Sequence, residues 1–162
     1  MFYQTTYPSP LGNISLVCND DALVHLSLPG QPGFSGVAVE KTHPILAQTT
    51  DWLDRYFAGK APAPAELSLR PEGTAFQELI WQLLLTIPYG QTTTYGDLAK
   101  KAASILGKPR MSAQAVGQAV SANPISVIIP CHRVLGAKGK LTGYAGGVHY
   151  KVALLALEAP EP

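Results

Sequence analysis

The spacing of apolar residues changes along the chain, and this change constrains the fold more than any other feature of the sequence. Within the first 28 residues, short alternating segments are separated by turns rich in Pro, Gly, Asn and Asp; they cover 2–7, 13–18 and 22–28. After residue 73, most apolar residues recur at helical spacing. The pattern predicts an α/β protein with an antiparallel meander first and a mostly helical part after it.

The predicted elements divide the chain into two domains. A helix over 42–57 completes the first part, and the Pro- and Gly-containing segment 58–64 is the best candidate for a connection. The second part is predicted to hold one buried apolar strand, 125–129, and four helices, at 74–86, 94–104, 111–122 and about 149–158. A chain of 162 residues suffices for two small domains, which we place at 1–73 and 74–162.

The net charge of +1 conceals an asymmetry between these two parts. Residues 1–73 carry four basic and seven acidic side chains, whereas 74–162 carry eight basic and four acidic ones, so that the net charges are −3 and +4. A positive second part suits contact with a polyanion. Ordinary scatter of surface charge gives the same numbers, so charge alone leaves both interpretations open.

The predicted helices 94–104 and 111–122 flank a Gly-Lys-Pro turn and together form a helix-turn-helix candidate. Gln114, Gln118 and Ser121 share one polar face of the second helix, and its small residues allow close approach to another surface. The basic residues around the turn can contact phosphates; they are Lys100, Lys101, Lys108 and Arg110. Two helices around such a turn are also common in ordinary core packing.

Cys131 is the candidate nucleophile. It follows the predicted strand and Pro130, and it precedes His132 and Arg133. A thiol reacts as its thiolate, which requires a base or a positive field nearby. Neighbouring side chains diverge, so His132 would act through a bridging water with a carboxylate orienting its ring, for which Glu158 is the candidate. A buried structural cysteine is the alternative, and it is the interpretation we prefer for Cys18.

Other kinds of site are not expected. Cys18 and His25 are seven residues apart, and no zinc spacing, dinucleotide fingerprint or phosphate loop occurs. We expect no metal and no cofactor. Two cysteines cannot form a disulfide scaffold, no apolar run approaches a membrane span, and the N-terminus lacks the pattern of a signal peptide. These features favour a cytoplasmic protein without a membrane partner, which we expect to be a monomer.

The segment Ile129-Pro130-Cys131-His132-Arg133-Val134 resembles the active-site motif of the O6-alkylguanine-DNA alkyltransferases, or methylated-DNA–protein-cysteine methyltransferases. The resemblance extends from about Phe76 to Glu158. It includes Ile87-Pro88-Tyr89-Gly90, Thr94-Tyr95-Gly96-Asp97, Ala115-Val116-Gly117, Asn123-Pro124 and Gly143-Tyr144-Ala145-Gly146-Gly147. The first 60 residues are more loosely similar to the ribonuclease-H-like N-terminal domain of that family.

The resemblance implies DNA repair by irreversible transfer of an alkyl group to the protein's own cysteine. The substrate would be O6-alkylguanine and, more weakly, O4-methylthymine in double-stranded DNA. The damaged base would be flipped into a pocket, and the helix-turn-helix would approach the minor groove. No good leaving group remains on the thioether product, so each molecule is expected to react once.

The resemblance also implies roles for individual residues. Cys131 would attack the alkyl carbon, His132 would be its base through water, and Glu158 would orient His132. Tyr95 would donate a hydrogen bond to N3 of the base, and Asn123 would brace the turn that carries the cysteine. The carbonyls of Cys131 and Val134 would accept from the exocyclic amine. The remaining pocket residues would be Tyr144, Ala145, Gly146 and Lys151.

On the DNA side, the position at which the family often has an arginine that fills the gap left by the flipped base is Gln114. The other DNA contacts would come from Tyr95, Ser112, Ala113, Gly117, Gln118 and Arg133. The segment from Lys100 to Met111 is longer than in some members of the family.

Three other functions were weighed against this one. An alkyltransferase-like recognition protein would bind lesions but lack the nucleophile, which Cys131 argues against. A winged-helix transcription factor would not need the Pro-Cys-His-Arg motif. A cysteine hydrolase with a Cys–His–Glu triad would turn over repeatedly and would be indifferent to DNA.

Overall fold

The computed structural model describes residues 1–141 and 147–159, which form two compact units. Met1–Glu72 and Pro124–Ile128 make the first unit, and Gly73–Asn123 with the chain from Ile129 onward makes the second. The first unit is built on a sheet and the second is mostly helical. The α/β class predicted from the spacing of apolar residues is therefore confirmed.

The sheet of the first unit contains the predicted meander and one further strand. Strands β1 (Phe2–Ser9), β2 (Gly12–Cys18) and β3 (Leu23–Ser27) pair antiparallel. Strand β4 (Ala38–Glu40) was not predicted; it pairs parallel to β1, and the sheet order is β3-β2-β1-β4. Three residues are too few to show an alternating pattern, which is why sequence reasoning missed it.

Helix α1 (Pro44–Phe57) packs against β1, β2 and β3 and closes the core of the first unit. Its buried Trp52, Leu53 and Tyr56 complete an interior that includes Ile14 and Leu16 of β2. The helix begins two residues after the predicted start at 42. His43 caps it, since its Nδ1 accepts a hydrogen bond from the Ile45 amide at 3.1 Å, and proline suits the first helical position.

Residues 125–129 do not form the predicted strand. The backbone hydrogen bonds of β3 with this segment stop after Leu26, whose amide donates to the Pro124 carbonyl and whose carbonyl accepts from Ser126. The chain then turns at Val127, where φ is +72°, and the Ile128 amide donates to the Ser126 carbonyl at 2.8 Å. Burial explains why this run is apolar, and an apolar run alone does not distinguish a buried turn from a strand.

Among the residues that the structure describes, the second unit contains four α-helices and one short pair of strands. The elements are α2 (Ala75–Leu84), β5 (Thr93–Thr94), α3 (Tyr95–Leu106), α4 (Ala113–Ser121), β6 (Val134–Leu135) and α5 (Val148–Glu158). Strands β5 and β6 pair in parallel, and α4 packs against α2 and α3. Val116, Ala119 and Val120 are buried, which confirms the inward face predicted for α4. Within 1–141 and 147–159, no helix is long and apolar enough to cross a membrane.

Candidate active site

Two consecutive turns present Cys131. The Cys131 amide donates to the Ile129 carbonyl at 2.8 Å, which closes an inverse γ-turn around Pro130 (φ −82°, ψ 65°). A short 3₁₀ turn, Cys131–Arg133, follows. Asn123 donates from Nδ2 to the same Ile129 carbonyl at 2.8 Å and so ties the end of α4 to this turn. The backbone before the cysteine is therefore held from two sides.

The Cys131 thiol is 5% exposed, forms no disulfide and lies within electrostatic range of Tyr95 and Lys151. Burial raises the pKa of Tyr95, and a charge on Cys131 raises it further. Burial lowers the pKa of Lys151, while a charge on Cys131 opposes this effect. The Lys151 Nζ lies 5.6 Å from the centre of the Tyr95 ring. A protonated phenol and an amine thus share the surroundings of the thiol.

His132, Arg133 and Glu158 form a buried network next to the cysteine. His132 Nε2 lies 2.6 Å from Glu158 Oε2, and the Arg133 guanidinium donates to both Glu158 oxygens, at 2.7 Å from Nε and 3.1 Å from Nη2. All three residues are at most 6% exposed. A carboxylate paired with arginine only accepts hydrogen bonds, so the proton of the His132 ring lies on Nε2.

Burial keeps the imidazole of His132 neutral. Burial lowers the pKa of His132, Glu158 acts in the opposite direction, and the positive charges of Arg133 and Lys151 lower it further. Within the described residues, His132 Nδ1 is buried and has no hydrogen-bond partner. A neutral ring with an unprotonated Nδ1 is able to accept a proton.

Arg133, which the resemblance assigns to the DNA contacts, has partners inside the unit in this structure. Besides Glu158, its guanidinium donates from Nη1 to the Ile87 carbonyl at 2.7 Å and lies 5.7 Å from the centre of the Tyr89 ring. Its donors are used inside the unit, and a buried side chain does not reach a phosphate. Ile87 and Tyr89 belong to the motif that carried the resemblance, but sequence reasoning gave them no role.

A groove of about 920 Å³ runs between α4 and the start of α3, and it collects most of the residues expected to contact DNA. Gln114, Gln118 and Ser121 line it from α4, and Tyr95 lines it from α3. A Cβ atom at Gly117 would lie 3.7 Å from Tyr95 Cδ1, at ordinary van der Waals distance, so α4 passes the tyrosine ring at this residue. The residues that line the groove are uncharged.

Of the other expected site residues, the structure describes Ser112, Ala113 and Val134. Ser112 caps α4, since its Oγ accepts from the Ala115 amide at 3.2 Å, and Ala113 is the first residue of the helix and lines the groove. Val134 is fully buried in β6, two residues after His132. Tyr144, Ala145 and Gly146 fall outside the described residues. In the part of the chain that is described, no group of three His, Cys, Asp or Glu side chains is placed to hold a metal.

Two family models together match almost the whole chain. The 6-O-methylguanine DNA methyltransferase DNA binding domain matches residues 75–160, and the ribonuclease-like domain of the same family matches residues 2–71. A methylated-DNA–protein-cysteine methyltransferase of Methanosarcina barkeri is 44% identical, and the match covers 96% of each chain. One of Mycobacterium tuberculosis is 42% identical, with 98% of this chain and 93% of the relative covered.

Solved structures agree with these matches. A Mycobacterium tuberculosis OGT in complex with DNA is 39% identical and superposes with a TM-score of 0.85 over 98% of this chain and 95% of the other. An O6-methylguanine DNA methyltransferase from Methanococcus jannaschii is 28% identical, with a TM-score of 0.69 over 98% and 95%.

Proposed function

This chain belongs to the 6-O-methylguanine DNA methyltransferase family, and from that premise we propose that Cys131 is the residue on which it accepts the alkyl group. Its activity is that of a methylated-DNA–protein-cysteine methyltransferase, which repairs DNA by alkyl transfer. The observation that carries the assignment is that Cys131 directly precedes His132, whose buried, neutral imidazole is anchored by Glu158, which Arg133 binds in turn.

In the first step His132 takes the thiol proton. Its Nδ1, which has no hydrogen-bond partner within the described residues, is the accepting atom. A bridging water carries the proton, because the side chains of adjacent residues diverge. Glu158 stabilises the imidazolium that forms, and it holds the ring with Nδ1 available throughout. Lys151 is close enough to stabilise the thiolate by its charge.

In the second step the Cys131 sulfur attacks the alkyl carbon of O6-alkylguanine. The new S–C bond forms as the C–O6 bond breaks, and the electron pair of that bond leaves with the guanine. Tyr95 donates a hydrogen bond to N3 of the leaving base, because its raised pKa keeps the phenol protonated. The proton taken from the thiol ends on the base, so that a neutral thiol and an O-alkyl base become a thioether and guanine.

The groove between α3 and α4 supplies the DNA-binding surface. We propose that α4 enters the minor groove, where its small residues permit close approach, and that the damaged base is flipped toward Cys131. Gln114 takes the place of the flipped base. O4-methylthymine reacts by the same displacement, and the protein acts as a monomer in the cytoplasm.

The test is transfer of a radiolabelled methyl group from O6-methylguanine in duplex DNA, followed by digestion and mapping of the label. We expect one label per chain, on the peptide that contains Cys131, and none in Cys131→Ala. Cys18→Ala is the matched control: burial and Asp20 raise the pKa of the Cys18 thiol to about 11, so it is not expected to react.

Three results would contradict this proposal. Label on Cys18 would move the nucleophile to the other cysteine. Several methyl groups released per chain would indicate a hydrolase. Tight binding of the lesion without any label would indicate a recognition protein.

A further inference from the structure

Gln118 is a polar residue of the groove that the proposed reaction does not use. It lies on the outer face of α4, one helical turn after Gln114, and its side chain is exposed. Within the described residues its amide has no hydrogen-bond partner. Nearby polar side chains are engaged, since Thr94 caps α3 by accepting from the Asp97 amide at 3.1 Å and Ser121 is not free. Gln118 therefore has a donor and an acceptor available for a ligand.

The surface around Gln118 suits the edges of bases better than phosphates. The residues that line the groove are uncharged, whereas a phosphate is held best where cations neutralise it. Ala113, Gly117 and Ala122 line the groove beside Gln118 and carry no long side chain. Bases can therefore approach the backbone of α4 closely, and an amide at this depth meets their edges.

The position of Gln118 on α4 limits which base pair it can reach. In the proposed function Gln114 takes the place of the flipped base, and Tyr95 contacts that base. Four helical residues rise about 6 Å and successive base pairs are about 3.4 Å apart, so Gln118 lies within about two base pairs of the lesion. A helix that crosses the groove at an angle brings Gln118 closer still.

The minor groove offers an amide one feature that depends on the sequence of the DNA. Every base pair presents acceptors there, whereas only a G·C pair adds a donor, the N2 amino group of guanine. The NH2 group of Gln118 can donate to any pair, but its carbonyl finds a donor only at G·C. Beside an A·T pair the carbonyl would be covered by DNA without a partner, which weakens binding.

We propose that Gln118 reads a base pair next to the lesion and favours G·C over A·T. Its carbonyl accepts from guanine N2, while its NH2 group donates to an acceptor of the same groove. This inference rests on the proposed function and deepens it, because it gives the DNA-binding groove a preference for the sequence that flanks the lesion.

The experiment measures the affinity of Cys131→Ala chains, which cannot accept the methyl group, for duplexes that carry O6-methylguanine. The two pairs on either side of the lesion are changed one at a time, at fixed salt. At one position we expect G·C to be bound about tenfold more tightly than A·T, and inosine·C, which lacks only the N2 amino group, to be bound as weakly as A·T. Pairing 2,6-diaminopurine with thymine adds that amino group and should restore tight binding.

Three substitutions at Gln118 separate the roles of its carbonyl and its NH2 group. Gln118→Ala should bind these duplexes equally. Gln118→Glu retains an acceptor, so it should bind each duplex more weakly but keep the preference for guanine. Gln118→Lys only donates, so it should bind more tightly and lose the preference. Gln48→Ala is the matched control and should keep the preference, since Gln48 is an exposed glutamine on α1, in the other unit.

A preference for G·C that persists in Gln118→Ala would overturn the inference, because the width of the minor groove would then be its source. Equal binding of the G·C and inosine·C duplexes would also overturn it, as would a preference for A·T. Chains that retain Cys131 are incubated with the same duplexes, carrying a labelled methyl group, in parallel. Labelling of Cys131 without any flanking preference would count only against the role of Gln118, whereas no labelling with any duplex would count against the proposed function.

Discussion

Glu158 binds both Arg133 and His132, and the way its oxygens are shared explains how the His132 ring stays neutral. Oε1 accepts from Arg133 Nε, whereas Oε2 accepts from both Arg133 and His132. A lone buried carboxylate at 2.6 Å would raise the pKa of the imidazole. The guanidinium cancels much of that charge, so burial determines the direction and the ring stays neutral. Arg133 is therefore a positioning residue for the proposed reaction.

Glu158→Gln is expected to destabilise the protein by about 3 kcal/mol, because it leaves the Arg133 charge buried without its partner. Urea unfolding measures the loss. Glu66→Gln is the matched control, since Glu66 also accepts two hydrogen bonds from an arginine, Arg55, but at the surface. The control should unfold close to the wild-type midpoint. Equal midpoints for the two variants would show that the buried Glu158 network stabilises the fold no more than the surface pair of Glu66 and Arg55 does.

The stability of the protein is expected to fall as the pH drops below about 6.5. Burial lowers the pKa of two histidines, His132 and His25. In the unfolded chain both protonate near the ordinary value, so between that value and the lowered pKa the unfolded state binds more protons. Urea unfolding at a series of pH values measures the slope of the unfolding free energy against pH. His25→Gln and His132→Gln should each reduce this slope, and a double variant with the full wild-type slope would refute the explanation.

At the scale of elements, α4 is the part that both sequence and structure describe in the same way. Val116, Ala119 and Val120 point inward at helical spacing, and Trp81 fixes the end of the helix by donating from Nε1 to the Ala119 carbonyl at 2.8 Å. Its outer face presents Gln114 and Gln118 to the groove. The bond from Trp81 and the proximity of Gly117 to the Tyr95 ring needed the tertiary structure, because these residues are far apart in sequence.

Gln114→Arg is expected to tighten binding to DNA at fixed salt, by several-fold, because a longer cationic side chain adds a charge where the groove opens. Fluorescence anisotropy with a duplex that carries O6-methylguanine measures it. Gln48→Arg is the matched control: it adds the same charge on the exposed face of α1, in the other unit. Unchanged or weaker binding by Gln114→Arg would argue against the proposal that this side chain fills the gap left in the DNA by the flipped base.

At the scale of the whole molecule, two separate segments of the chain make up the first unit. Pro124–Ile128 follows α4 directly, yet it packs with Met1–Glu72, where Leu26 exchanges backbone hydrogen bonds with Pro124 and Ser126. Ser126 also donates from Oγ to Gln31 Oε1 at 2.9 Å. The segment that ends three residues before Cys131 is therefore part of the unit that begins at residue 1.

A fragment of residues 1–72 should consequently be less stable than its composition suggests, because Leu26 would lose both backbone partners and the buried Ile125 would leave a gap. A second fragment, with 123–129 joined to residue 72 through a Gly/Ser linker, should unfold at a higher urea concentration. Ile125→Ala in that second fragment is the control and should lower the midpoint again. Identical midpoints for all three would show that the segment does not stabilise the first unit.

The sequence by itself determined the class of the fold, the helices and the identity of the motif. Periodicity and local turns depend on residues close together in the chain, so the meander, α1 and α4 could be predicted to within a few residues. The candidate nucleophile and its base are adjacent, and Glu158 could be proposed because so few acids occur in the second part. The three-residue strand β4 gave no such local pattern.

Only the tertiary structure decided which long-range partners these residues have. It placed the Arg133 guanidinium on Glu158 and Ile87, and it placed Pro124–Ile128, which holds most of the apolar run, in the first unit. The physical reason is the same in each case. The burial and pairing of a polar group depend on which distant segments of the chain meet. The spacing of residues within one segment does not contain that information.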